Sequence, residues 1–317
     1  MAESPASGGP FRHTGFFYRT LDEYARTVAG FVGDGLAAGE PAFVAVPPGK
    51  ATLIADALGA GARRVEFADM TDLGRNPARI IPRVLAFAEK HGGQHVRYAG
   101  EPVWASRGPA ELREATRHEA LVNLAFADAD VEILCPYDTL ALGAAVLADA
   151  RRTHPLLRSD GRTSASPDYA VPFRLPPSCS LTLPAPPDAA MSYTYRTDLS
   201  QVRAWVLQHA RDAGLPDARA SDLVLAVSEA AANTLRHTRS SGTLDIWHDA
   251  TEIVCEIHDT GVIADPLAGR RMPAPDALSG HGLWLVHEVC DLVELRSDGT
   301  GTTIRMHMSL RPRRTPG

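Results

Sequence analysis

The stretch Asp222-Leu-Val-Leu-Ala-Val-Ser-Glu229-Ala-Ala-Ala-Asn233-Thr-Leu-Arg-His237 decides how the second half of this chain is read. Its apolar residues Leu223, Val224, Val227, Ala230, Ala231 and Leu235 recur at helical spacing, which predicts an amphipathic helix with one buried face. Glu229 and Asn233 stand four residues apart and so share a second face. An acid beside an amide can hold a hydrated divalent cation.

Two glycine-bearing stretches downstream extend that reading. His258-Asp-Thr-Gly261 closes an apolar, strand-like run, and Ser279-Gly-His-Gly-Leu283 opens a second helix-like run. Asp259 offers an acceptor for an exocyclic amine, and Gly261 lets a base lie against the backbone. Gly280 and Gly282, just before a helix, can turn N–H groups toward phosphate with help from the helix dipole. Asn233 then reads as a metal ligand through its carbonyl oxygen, and Glu229 as the group that orients or deprotonates an attacking hydroxyl. Each feature alone is common turn or surface chemistry; their order carries the reading.

The surrounding chain supplies the frame. Met191–Arg196 alternates like a strand, and Leu199–Ala213 reads as a helix that breaks at Gly214-Leu-Pro216. Gly242–Asp249 and Glu252–His258 read as a hairpin. Asp291–Arg296 and Thr302–Leu310 are the final strands, joined at Ser297-Asp-Gly-Thr-Gly301. Helices on one side of hairpin strands make an α+β sandwich over residues 191–310.

The N-terminal half has a different rhythm. Residues 1–15 are rich in Gly, Pro and Ser, so folded structure is expected from near Phe16-Phe-Tyr18. Helical spacing over Thr20–Leu36 is followed by an apolar strand at Pro41–Val46 and a helix at Ala51–Leu58. Then come a strand at Val65–Phe67, a helix at Ala78–His91, a strand at His95–Tyr98, a helix at Glu111–Asp128, a strand at Val131–Cys135 and a helix at Thr139–Thr153. Alternating strands and helices predict an α/β domain with a mainly parallel sheet over residues 14–157. Pro47-Pro-Gly-Lys50 lacks the upstream glycine and metal-binding hydroxyl of a phosphate loop and reads as an ordinary turn. Residues 158–190, with Pro176-Pro-Ser178 and Pro184-Ala-Pro-Pro187, read as a semi-rigid linker.

The chain has 317 residues, 44% of them hydrophobic, enough for two domains. A formal charge of −6 and no basic run beyond Arg311-Pro-Arg-Arg314 argue against direct nucleic-acid binding. Cys135, Cys179, Cys255 and Cys290 are scattered without C-x-x-C spacing, so neither disulfides nor structural zinc are expected. No signal peptide or membrane-spanning run is evident, which points to a cytoplasmic protein.

Within the first domain, Arg97–Trp104 and Leu134–Thr139 follow strand ends, where open α/β sheets place ligands. Trp104, His118 and Tyr137 would suit a small, partly apolar ligand, although for His118 and Glu119 the commoner role is to satisfy polar groups on a helix face. His118-Glu119 is not followed by the spacing of a catalytic zinc motif.

These clusters, with His118-Glu-Ala-Leu-Val-Asn123, Cys135-Pro-Tyr-Asp-Thr139 and Arg152-Thr-His-Pro155, resemble the MEDS sensory domain over most of residues 14–157. The resemblance implies a small-molecule sensor attached to a regulatory output. The second half resembles the GHKL (Bergerat-type) ATPases. Ser228–Asn233 is similar to their N box, Asp259-Thr-Gly261 to the first glycine box and Gly280-His-Gly-Leu283 to the second. Gly301-Thr-Thr-Ile304 is similar to the last box, where Thr302 would join Asp259 around the adenine.

The pattern resembles the anti-sigma-factor serine kinases in particular. It implies ATP and Mg²⁺ binding at Asn233, Asp259, Gly261, Gly280, Gly282, Leu283 and Thr302, with Glu229 catalytic. It further implies a sigma factor and an anti-anti-sigma factor as partners, and pairing as a homodimer. The chain departs from the pattern at Val262-Ile263, where a second glycine is usual, which bears on lid movement and exchange. The expected function is a sensor-coupled anti-sigma factor that phosphorylates a serine of its antagonist. An ATP-dependent binding module without transfer is the alternative, and a histidine kinase ranks third because no paired dimerisation helices precede residue 191.

Overall fold

The computed structural model describes residues 11–170, 183–238, 241–274 and 280–311. The chain divides into two compact units, Met1–Leu181 and Thr182–Gly317. The expected basic tail from Pro312 onward, Cys179, Ser279 and much of the linker lie outside the described residues.

In the first unit the elements run β1 (Arg12–Tyr18), α1 (Leu21–Ala38), β2 (Ala42–Val46), α2 (Pro48–Leu58), β3 (Val65–Asp69), α3 (Met70–Leu73) and α4 (Ile80–Lys90). They continue with β4 (Val96–Gly100), α5 (Pro109–Ala125), β5 (Val131–Asp138), α6 (Ala144–Thr153), β6 (Leu156–Ser159) and β7 (Arg162–Ala165). The sheet order is β3-β2-β4-β5-β1-β6-β7. Every pairing is parallel except the β6–β7 hairpin. This is the α/β architecture that the alternation of elements implies. Local chemistry sets the boundaries: the Thr20 side chain accepts from Glu23 N–H at the start of α1, and Gly39 closes it at φ 80°. Phe16, Tyr18, Val28, Val32, Val44, Val46 and Leu134 build a core between α1 and the sheet.

Three local expectations change. Strand β1 already starts at Arg12, upstream of the expected Phe16, and is an interior strand paired with both β5 and β6. Thr139–Gly143 is not helical, because the Asp138 carboxylate accepts from the Leu140 and Ala141 N–H groups and holds a turn there. Residues 158–165, expected as linker, extend the sheet as the end of β6 and all of β7. Asp160 and Gly161, at φ 47° and 73°, turn that hairpin, and both positive angles suit an Asp-Gly turn between strands.

The second unit contains β8 (Met191–Tyr195), α7 (Leu199–Asp212), α8 (Asp217–His237), β9 (Gly242–His248), β10 (Glu252–Asp259), α9 (His281–Val289), β11 (Leu292–Asp298) and β12 (Gly301–Ser309). Its sheet is antiparallel in the order β11-β12-β10-β9-β8. Val202 and Val206 of α7, Leu223, Val227 and Ala230 of α8, and Val286 of α9 pack with Leu244, Ile253, Cys255, Ile257 and Met306 of the sheet. One layer of helices on an antiparallel sheet is the α+β sandwich, and the buried stripe of α8 leaves Glu229 and Asn233 only partly covered.

A buried ion-pair set stiffens this sheet. His307 lies with Nδ1 3.2 Å from Glu252 and Nε2 3.4 Å from Glu294. Burial opposes the charged ring, but the two carboxylates outweigh it and raise its pKa to about 9. Because the folded value lies above the unfolded one near 6.5, this contribution is complete below about pH 6.5. It is lost as pH rises through about 9. Linkage puts it on the order of 3 kcal/mol. Thermal melts of wild type and His307→Gln at pH 6 and pH 10 check it: the stability gap between the proteins is expected to narrow at the higher pH.

Candidate functional site

The constellation in the second unit is built by α8, the end of β10, the start of α9 and the start of β12. Asp259 ends β10 directly opposite Thr302 on β12, so the sheet register alone brings these two together. Both are buried, at 8% and 3% exposure. Asp259 accepts at Oδ2 from the Thr234 hydroxyl (2.6 Å) and at Oδ1 from Gly261 N–H (2.7 Å). The Tyr195 hydroxyl donates in turn to Thr234 Oγ1 (3.0 Å). Thr302 donates to the Gly261 carbonyl (2.8 Å) and lies 2.8 Å from the Ser297 hydroxyl, which accepts from Ile263 N–H. A carboxylate held on both oxygens is a fixed acceptor, which is what selective recognition of an exocyclic amine needs.

Glycines set how closely the backbone approaches this framework. A Cβ at Gly261 would lie 2.6 Å from Thr238 Cγ2, so a side chain there would press on the end of α8. Gly280 caps α9 in the left-handed region at φ 94°, a conformation glycine takes without steric cost. A Cβ at Gly282 would lie 2.9 Å from Glu229 Oε2 and 3.4 Å from Asn233 Nδ2. The first turn of α9, whose leading N–H groups have no partner within the helix, therefore rests on the polar face of α8 that carries Glu229 and Asn233. Arg236 donates to Asn233 Oδ1 at 3.3 Å. Leu283 packs inward against the core while Gly280 stays exposed. Glu229, Asn233, Gly280, Gly282 and Leu283 thus form one group, and Asp259, Gly261 and Thr302 a second that meets the C-terminal turns of the same helix at Thr234 and Thr238.

Sequence reasoning did not single out Thr234, Tyr195 or Ser297, the hydroxyls that hold Asp259 and Thr302 in place. The available signal was Thr234 itself, a hydroxyl on the alanine-lined buried face of α8.

In the first unit Trp104 is half-buried beneath the Arg107 guanidinium, 3.7 Å from its ring centre. His118 and Tyr137 are each 2% exposed. Tyr137 packs against Phe17 and edge-on to His154. Lys50 pairs with the buried Glu101 and donates to the Tyr18 hydroxyl (2.6 Å), so the first turn of α2, which starts at Pro48, is tied into the sheet end. Burial raises the Glu101 pKa, with Lys50 opposing.

Behind the sheet is a cluster that sequence spacing did not reveal. His13 on β1, Glu119 on α5, Cys135 on β5 and His154 after α6 are all buried, and their donor atoms lie within 4.8 Å of one another. Burial, reinforced by the neighbouring His154 ring, lowers the His13 pKa to about 4. Burial together with Glu119 pushes the Cys135 thiol well above its ordinary value.

Residues 12–155 match the MEDS family, the methanogen/methylotroph DcmR sensory domain, and residues 194–308 match the histidine kinase-like ATPase domain. A solved structure of the RsbU and RsbW domains of a Mycobacterium tuberculosis protein is similar at 17% identity and a TM-score of 0.29, over 40% of this chain and 35% of that chain. Comparison with curated proteins gives no match. No described helix is long and apolar enough to cross a membrane. The chain therefore joins a MEDS sensory domain to a histidine kinase-like ATPase domain.

Proposed function

We propose that this protein is a sensor-coupled anti-sigma factor whose second domain binds ATP with Mg²⁺ and phosphorylates a serine of an anti-anti-sigma partner. The observation that carries the reading is the seat of α9 on α8, where a Gly282 Cβ would meet the Glu229 carboxylate and the Asn233 amide. The glycine cradle fits a nucleotide: close backbone approach at Gly261, a left-handed cap at Gly280 and an occupied acceptor at Asp259. Asp259 and Thr302 would hold the adenine, the N–H groups before Leu283 the phosphates, and Asn233 Oδ1 the magnesium. Bound ATP supplies the phosphoryl group.

Glu229 would orient the incoming serine hydroxyl and take its proton. Its carboxylate is partly exposed beside the helix start, so a partner's side chain can reach it. In the sensory domain, Trp104, His118 and Tyr137 would report a small partly apolar ligand, Trp104 retaining the most surface for contact. The ligand would act by binding two arrangements of the protein unequally and so changing partner affinity.

Labelled ATP, with and without the cognate antagonist, tests the reading. Transfer of label to an antagonist serine is expected. Persistent ATP binding without labelled serine would leave the binding-only module, a reading that the Val262-Ile263 departure beside the first glycine box favours. A further expected result is that Asn233→Ala abolishes magnesium-dependent nucleotide binding while the thermal melt stays within about 1 kcal/mol of wild type. Unchanged affinity on magnesium titration would remove Asn233 from the metal.

A further inference from the structure

We propose that His13, Glu119, Cys135 and His154 of the sensory domain bind one zinc ion in a closed, four-coordinate site. The first argument is geometric. His13 Nε2 lies 3.1 Å from Glu119 Oε2, His154 Nε2 3.3 Å from the same oxygen, and Cys135 Sγ 3.4 Å from His13 Nε2. Donors about 2.0–2.3 Å from a tetrahedral ion are separated from one another by roughly 3.3–3.7 Å. The side chains already stand at nearly the spacing that zinc would impose.

The second argument concerns where the protons are. The Asn123 amide nitrogen faces three carbonyls, those of Thr153 (2.7 Å), Glu119 (3.3 Å) and Ala120 (3.4 Å). Its Oδ1 must therefore be the atom 3.1 Å from His13 Nδ1, and Nδ1 must carry the hydrogen. His154 Nδ1 lies 2.7 Å from the Ala150 carbonyl, which can only accept, so that nitrogen is also protonated. In the neutral tautomer both rings then present bare Nε2 lone pairs to one carboxylate oxygen, itself an acceptor. His154 Nε2 has no hydrogen-bond partner there. Acceptors turned on one another in a site with 0–2% exposure need a cation between them.

The supporting contacts have the form of a metal second shell, in which each ligand histidine donates its other N–H to a fixed acceptor. The thiolate donor and mixed nitrogen, sulfur and oxygen set exclude magnesium or calcium and suit zinc. Four protein donors leave no open position, so the ion would be structural rather than catalytic. It would tie β1, α5, β5 and the end of α6 together, and the MEDS match begins one residue before His13 and ends one residue after His154. Binding replaces the Cys135 thiol proton with the Zn–S bond and releases that proton to solvent.

The test uses the full chain, stripped with a chelator and reloaded with zinc or cobalt(II). The expected results are one tightly held zinc per chain by mass spectrometry of the metal, and a cobalt spectrum with intense tetrahedral bands plus a thiolate charge-transfer band. Cys135→Ser is expected to lose the charge-transfer band, and His154→Gln to lower zinc affinity by at least tenfold. X-ray absorption of the wild type needs no variant and should show one sulfur among otherwise nitrogen and oxygen ligands. A folded wild-type chain that retains no zinc, or an absorption spectrum without sulfur, would overturn the proposal; protons would then hold the cluster together.

Discussion

Glu229→Gln is expected to bind ATP with wild-type affinity and to transfer phosphate to the antagonist's serine about 10²- to 10⁴-fold more slowly, the usual worth of a positioned general base. The amide keeps the size of the carboxylate, so the contact with Gly282 survives. Adenine recognition is assigned to Asp259 and Thr302, whose hydrogen bonds run to Thr234 and Gly261 rather than to Glu229. The substitution thus separates holding nucleotide from using it. Single-turnover transfer under saturating ATP, beside an equilibrium binding isotherm, makes the measurement. Equal losses in both would show that Glu229 serves binding, and no loss in either would remove it from the chemistry.

Gly301→Ala is expected to produce the largest loss of stability in the second domain. Gly301 has φ 148°, and a Cβ there would lie 2.2 Å from the Asp259 backbone carbonyl. Neither the strand pair nor the carbonyl can give way cheaply, since β10 and β12 are paired from Glu252↔Ser309 to Asp259↔Thr302. A cost of about 3 kcal/mol, with a fall of roughly 10 °C in the melting temperature of this domain, follows from strained backbone and overpacking. Because the collision falls on Asp259, ATP affinity is expected to drop as well. Calorimetry with and without ATP reads both effects, and a melt within about 0.5 kcal/mol of wild type would contradict the assignment of strain.

Much of the second domain was legible because its signals are local. The α8 stripe at Leu223, Val227, Ala230 and Ala231 has helical period, β9 alternates, and the apolar run of β10 follows it across a short turn. The juxtaposition of Gly282 with Glu229 was not readable as distance, only as motif order. In the first domain the hidden parts depend on distant partners. Arg12-His-Thr-Gly has the composition of a loop, yet becomes an interior strand because His13 finds Asn123 and Glu119 more than a hundred residues away. Glu119 and the three donors around it have no common spacing, so no pattern could gather them. Asp160-Gly161 was a local hairpin signal, masked by the proline-rich composition that follows it.

The central place of β1 has a consequence for how the protein is born. This strand leaves the ribosome before the other strands of its domain, but Arg12 pairs with Glu132 and Thr14 with Leu156. At about 5–20 residues per second, its apolar Phe16-Phe17-Tyr18 segment waits on the order of 10 s for both neighbours. The sensory domain therefore cannot close stepwise during synthesis. Its earliest segment must be kept from aggregating until its last parallel strand emerges, and its folding rate is set by contacts of long sequence separation.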